Sequence, residues 1–144
     1  MKSKGDSYLA VSLYGLTEKR ADQFLPLAKS WIQPAQIKDL GPGYKNEGYD
    51  KYQRAYVLEC EDEGNPSLLE FELAGSKDHP IVNPAFLIKG WGKSDVSLKM
   101  DDIQVQRGKS FRFGYRRTPA ERDLIVWIKK ESDIHVKFVL FPAK

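Results

Sequence analysis

The stretch Gln106–Ile128, QRGKSFRFGYRRTPAERDLIVWI, constrains the fold most, because two strand-like runs flank an arginine-rich turn. Within Ser110–Tyr115 the side chains alternate, so Phe111, Phe113 and Tyr115 fall on one face and Ser110, Arg112 and Arg116 on the other. One face is core and the other meets water. After the turn Arg116–Asp123, which contains Pro119, the run Leu124–Ile128 is apolar at every position. That is the pattern of a strand covered on both sides, or of one whose outer face serves binding. The two runs predict a rigid pair of strands presenting Arg107, Lys109, Arg112, Arg116, Arg117 and Arg122 within one short piece of chain.

At 144 residues the chain can bury a proper core without staples, and one domain over residues 8–144 accounts for it. Residues 1–7 read as a polar lead-in to a domain cut from a longer protein. A hydrophobic fraction of 41% with 30% charged residues excludes a disordered chain. The net charge of +3 is mild and does not by itself demand nucleic acid. Only clustered charge would matter, and the arginines above are clustered. The single cysteine, Cys60, excludes an intramolecular disulfide and a multi-cysteine zinc site, and in its strand-like run it reads as a buried thiol. No apolar run is long enough to span a membrane, and the start lacks a charged-then-apolar leader pattern.

In chain order, Tyr8–Leu13 is a first strand candidate. Thr17 can cap a short helix with Glu18 in its first turn, confined by Pro26 and Pro34 to about two or three turns. Gln36–Leu40 is a weak strand, followed by a tyrosine-rich loop from Tyr44 to Tyr52. Arg54–Cys60 and Leu69–Leu73 flank an acidic turn and look like an antiparallel hairpin. Asn83–Lys89 is a further strand, broken by Gly90-Trp91-Gly92. Val96–Met100, a tight Asp101-Asp102 turn, Ile103–Val105 and Ser110–Tyr115 read as a meander, and Val136–Phe141 as a closing strand beside Leu124–Ile128. Short strands at near-regular spacing with at most one short helix near the N-terminus predict an all-β, jelly-roll-like antiparallel β-sandwich, with an open barrel as the competing topology.

Catalytic signals are sparse. The two histidines, His79 and His135, each lie near an aspartate, and no nucleophile elbow, HExxH helix, phosphate-binding glycine loop or dinucleotide fingerprint is present. β-Elimination of an acidic polysaccharide would need a tyrosine or histidine base and an arginine or asparagine to neutralise a uronate; these residue types occur, with no spacing that unites them. The acidic stretch Glu59, Glu61, Asp62, Glu63 and Asn65 offers hard oxygen ligands for a structural calcium, without EF-hand spacing; a solvated turn is the plainer reading. No other cofactor is expected.

The aromatics say more. Sugar rings pack their C–H faces on aromatic planes, while hydroxyls, sulfates and carboxylates take the forked donors of arginine. Trp91, between two glycines, is expected on display, and Tyr49 and Tyr52 in their loop are further platforms. Trp127 and Trp31, among apolar neighbours, are expected in the core. The plain alternative for the arginines is separate pairing with Asp123, Glu121 and Asp95.

The segments NPAFLIKGWG (Asn83–Gly92), VSLKMDD, RGKSFRFGYRR and DLIVWIKKESDIHVKF together resemble the C-terminal β-sandwich accessory modules of secreted bacterial polysaccharide-degrading enzymes, over roughly Tyr49–Phe141. The resemblance implies a secreted or cell-surface, non-catalytic module that binds glycan or packs on its parent catalytic domain. It makes Trp91 and the Arg112/Arg116 face candidate contacts. The expectation is therefore a carbohydrate-binding module for an anionic polysaccharide, sulfated or carboxylated, using Trp91, Arg107, Lys109, Arg112, Arg116, Arg117, Tyr49 and Tyr52. The alternatives are a small jelly-roll polysaccharide lyase or a structural accessory domain. Single-stranded nucleic acid would use similar equipment, but the mild charge and the acidic strand Glu70/Glu72 argue against it.

Overall fold

The computed structural model describes residues 24–143. The strand expected at Tyr8–Leu13, the polar lead-in and the helix start at Thr17 lie outside them. A helix α1 (Phe24–Ile32) is followed by β1 (Ile37–Lys38), β2 (Tyr44–Asp50), β3 (Ala55–Cys60), β4 (Leu69–Leu73), β5 (Ile81–Val82) and β6 (Ala85–Lys89). Then come β7 (Asp95–Met100), β8 (Ile103–Val105), β9 (Phe111–Arg117), β10 (Arg122–Ile128), β11 (Glu131–Ser132) and β12 (Val136–Ala143). Pro26 is the third residue of α1, in the first turn, where the missing N–H leaves no bond unmade.

The chain is an all-β sandwich. One five-stranded sheet has the order β1-β4-β12-β7-β8 and the other β2-β3-β6-β10-β9, with β11 and β5 as a separate pair. Alternation builds the core: Leu69, Phe71 and Leu73 of β4 point inward while Glu70 and Glu72 stay at the surface. Val136, Phe138 and Leu140 of β12 join them, facing Leu58, Phe86, Ile88, Leu124 and Val126 of the opposing sheet. Phe86 ties the sheets together, with ring centroids 5.2 Å from Phe71 and 5.6 Å from Phe138.

Several pairings differ from the sequence reading. The tyrosine-rich stretch is mostly strand β2, paired to β3 with an irregularity between Asn46 and Gly48. The segments β3 and β4 do not form a hairpin. They lie in different sheets, β3 pairing in parallel with β6 and β4 pairing with β12. The meander stops after β8, since β9 crosses to the other sheet, and β12 lies beside β4 and β7 rather than β10. Hydrophobic alternation fixes which face of a strand is buried but not which neighbour it takes, so these errors share one cause. The Asp101-Asp102 turn is tight as expected, both residues adopting positive φ (51° and 66°) as a type I′ hairpin requires. No helix among the described residues is long and apolar enough to cross a membrane.

Candidate functional site

Register carries the alternation of β9 across to β10. Arg112 lies opposite Trp127, Gly114 opposite Ile125, and Arg116 opposite Asp123. All six stand on the outer side of the second sheet, because Leu124, Val126 and Ile128 between them are fully buried. Trp127, expected in the core, is therefore on the outer face and half-buried, with the Arg112 guanidinium 5.1 Å from its ring centroid. Ile125 beside it is 42% exposed. A Cβ built on Gly114 would meet nothing, so the glycine leaves that isoleucine uncovered.

The face is concave. Arg116 of edge strand β9 donates from Nη1 to Gln53 Oε1 (3.4 Å) at the tip of the β2–β3 hairpin, which belongs to the opposite edge. In a flat sheet four strand spacings would hold these edges roughly 19 Å apart. Curling closes that gap and leaves a trough of about 370 Å³ along Glu47, Gln53, Val57, Leu87, Lys89 and Arg116. Val57 and Leu87 are buried although they face outward. Charges along the trough are mostly compensated: Lys89 donates to Glu47 at 2.9 Å, and Arg116 to Asp123 at 3.1 Å. A hydrogen bond donated to Glu47 pushes the Glu59 carboxyl up, while Lys89 holds Glu47 down. Arg112 has no carboxylate partner among the described residues; its charge stays available.

The remaining expected residues divide. Trp91 is fully buried, its Nε1–H donating to Ser94 O at 2.8 Å. The flanking glycines, both at positive φ, turn the indole inward instead of displaying it. Tyr49 is half-buried with its ring edge-on to Tyr56 at 4.9 Å, so it serves the core more than the surface. Tyr52 is fully exposed at the hairpin tip. Arg107 stacks on Phe113 (4.0 Å) and donates to its carbonyl, on the side of β9 away from Arg112. Arg117 also lies on that far side, and Lys109 is exposed in the β8–β9 turn. The six cations do not share one face, because alternation along β9 sends 112 and 116 one way and 117 the other. Of the pairings weighed for them, Arg116–Asp123 is the one within ion-pairing distance among the described residues.

A second cleft, of about 880 Å³, runs between the residues after α1 and β2, and brings His79, Tyr49, Asn46 and Lys51 to one lining. His79 Nδ1 sits 3.1 Å from Gln33 O; a carbonyl only accepts, so Nδ1 donates this bond. Burial pushes the Tyr49 phenol up to about 12, which keeps it a proton donor rather than a base. His135 lies instead 3.5 Å from Glu72 on the first sheet. Among the described residues no three His, Cys, Asp or Glu side chains gather as a metal ion would require.

Two contributors to the surface chemistry escaped the sequence reading. Trp127 looked like core because its neighbours are apolar, yet its odd-numbered position, shared with Ile125 opposite the even-numbered arginines, was the available signal. Lys93 carried none. No family model, no curated protein and no solved structure matches the chain.

Proposed function

We propose that this domain is a non-catalytic carbohydrate-binding module of a larger secreted bacterial polysaccharide-degrading enzyme, binding an anionic polysaccharide along the outer face of its second sheet. The observation that carries the reading is the stack of Arg112 on the half-exposed Trp127 beside exposed Ile125. An indole edge and an isoleucine form an apolar ledge for sugar C–H groups. A guanidinium without a carboxylate partner, held on that ledge, meets a sulfate or uronate. Affinity gel electrophoresis against sulfated, uronic and neutral polysaccharides tests it. Retardation by an acidic polymer, weakening with salt as exposed charge is screened, is the expected result. Equal migration in every gel overturns it.

A second reading, a structural domain packed on its parent catalytic domain, is favoured by α1. Leu25 and Ile32, seven residues apart and so on one stripe of the helix, are 62% and 61% exposed, while Leu27 and Ser30 are buried on the other side. Under that reading the domain co-purifies with the catalytic domain supplied in trans, and substituting both residues with Ser abolishes the association. The lyase alternative draws on the cleft holding His79 and Tyr49. Unsaturated products absorb in the ultraviolet, so a flat trace with several uronate polymers removes it.

A further inference from the structure

At the far end of β9 from Arg112, the last strand residue Arg117 stands directly opposite Arg122, the first residue of β10. Their side chains project to the same side with Cβ atoms about 5 Å apart, and like charges so placed repel. Neither has a carboxylate within ion-pairing distance among the described residues. The Arg122 guanidinium lies 5.8 Å from the Tyr115 ring centroid, which directs it without cancelling its charge. Lys93, also without an ion pair, joins them around a cleft of about 640 Å³.

The cleft is pre-built. Trp91 Nε1–H and Tyr115 O–H both donate to Ser94 O at 2.8 Å, so a buried indole and a strand tyrosine pin the loop that carries Lys93. Gly92 N donates to Arg122 O at 3.0 Å, tying that loop to β10. The Gly92 and Gly64 backbones touch, since a Cβ on Gly92 would sit 2.8 Å from Gly64 O. One acid, Glu121, also lines the cleft, with its carboxyl on the Gly90 side. Asp95 Oδ1 accepts from its neighbour Val96 N.

We infer that Lys93, Arg117 and Arg122 form a binding site for a tetrahedral oxyanion, the head of a sulfate or phosphate ester. Two guanidinium forks from paired strands and an ammonium from a third segment line one cleft. A tetrahedral head presents three acceptor oxygens to match, where a planar carboxylate presents two in one plane. A bound anion also removes the cross-strand repulsion that the free domain carries. The site lies on the opposite side of β9 from Arg112, so it is independent of the outer face and can fail or hold without it.

The test is a titration of the ¹⁵N-labelled full chain with inorganic sulfate, inorganic phosphate and acetate at ionic strength fixed with sodium chloride. It follows the arginine Nε–Hε signals and the Lys93 and Ser94 amides. Saturating shifts at Arg117, Arg122 and Lys93 with sulfate or phosphate, at least tenfold weaker with acetate, are expected, and they persist in Arg112→Ala. Arg117→Gln and Lys93→Gln, changes at exposed side chains, should each weaken binding several-fold. Non-saturating shifts, equal responses to acetate, or loss of the shifts in Arg112→Ala overturn the assignment. An O-sulfated oligosaccharide against its desulfated form, and a sugar phosphate monoester, then separate the two sources; no preference for either ester overturns it as well. Glycan retention by the unsubstituted chain without saturable sulfate or phosphate binding at these three residues sinks this site alone and leaves the outer-face reading intact.

Discussion

The guanidinium of Arg116 holds the carboxylate of Asp123, directly opposite on β10, at 3.1 Å, and that carboxylate is 1% exposed. Asp123 Oδ1 also accepts the N–H of Gly90 at 3.1 Å, so the buried charge rests on one side chain and one backbone donor. Removing the donor side chain leaves a desolvated anion half-satisfied. Arg116→Ala is expected to lower unfolding free energy by about 1–3 kcal/mol, with Arg116→Lys recovering part of it. Denaturant unfolding measures both, and an unchanged midpoint in the alanine variant would show that Asp123 does not depend on this partner.

Two tryptophans should behave oppositely. Trp91 is enclosed by the core, so Trp91→Ala is expected to cost about 3–5 kcal/mol of stability. Trp127 packs on the outer face beneath Arg112, so Trp127→Ala should cost much less stability and remove glycan retention. Arg112→Ala should do likewise. Comparing melting with gel retardation for the three variants separates the roles; full retention in both Trp127→Ala and Arg112→Ala would detach that ledge from binding.

Much of the fold was legible because burial alternates along single strands, as in Leu69–Leu73 and Phe111–Tyr115, and that signal is local. Pairing was not legible. The partners of β3 are β2 and β6, and nothing in Arg54–Cys60 distinguishes β6 from β4 as a neighbour. The same split governs the surface. Arg112 and Arg116 were correctly assigned to one face by parity, and Arg117 could have been removed from it by the same count. Trp91 misled for another reason: glycines at positive φ permit a sharp turn without saying whether the side chain between them points out or in.

Alkali should unfold the domain earlier than exposed tyrosines would predict. Burial, reinforced by Cys60 beside Tyr44 and by Tyr49 beside Tyr56, raises both phenols far above their ordinary value of 10.0. The folded state thus keeps protons that the unfolded chain releases near that value. The stability these groups contribute is whole below pH 10 and falls as pH rises beyond it, by about 1.4 kcal/mol per pH unit for each group. Two such groups give a slope of roughly 3 kcal/mol per unit. The last tyrosinate absorbance to appear should coincide with the loss of circular dichroism; ionisation of all the tyrosines without loss of structure would contradict the burial.

Gly92 and Gly48 share a left-handed backbone, φ 88° and 91°, but differ in surroundings. A Cβ on Gly48 would meet nothing within 4 Å, so Gly48→Ala carries only the conformational penalty, about 1 kcal/mol. A Cβ on Gly92 would approach Gly64 O to 2.8 Å and its Cα to 3.0 Å. Both are backbone atoms that cannot swing aside. Gly92→Ala must therefore also push the Gly64 turn away from the β6–β7 loop, straining the Gly64 N–H bond to Gly90 O (2.8 Å). Its cost should exceed that of Gly48→Ala by about 1–3 kcal/mol, read as the difference between the two unfolding midpoints. Since Gly92 also ties the Lys93 loop to β10, the variant should weaken sulfate binding at Arg117 and Arg122 while Gly48→Ala leaves it unchanged. Equal costs for the two substitutions would mean that the two backbones are not in contact, and the floor of the Lys93 cleft would go with that contact.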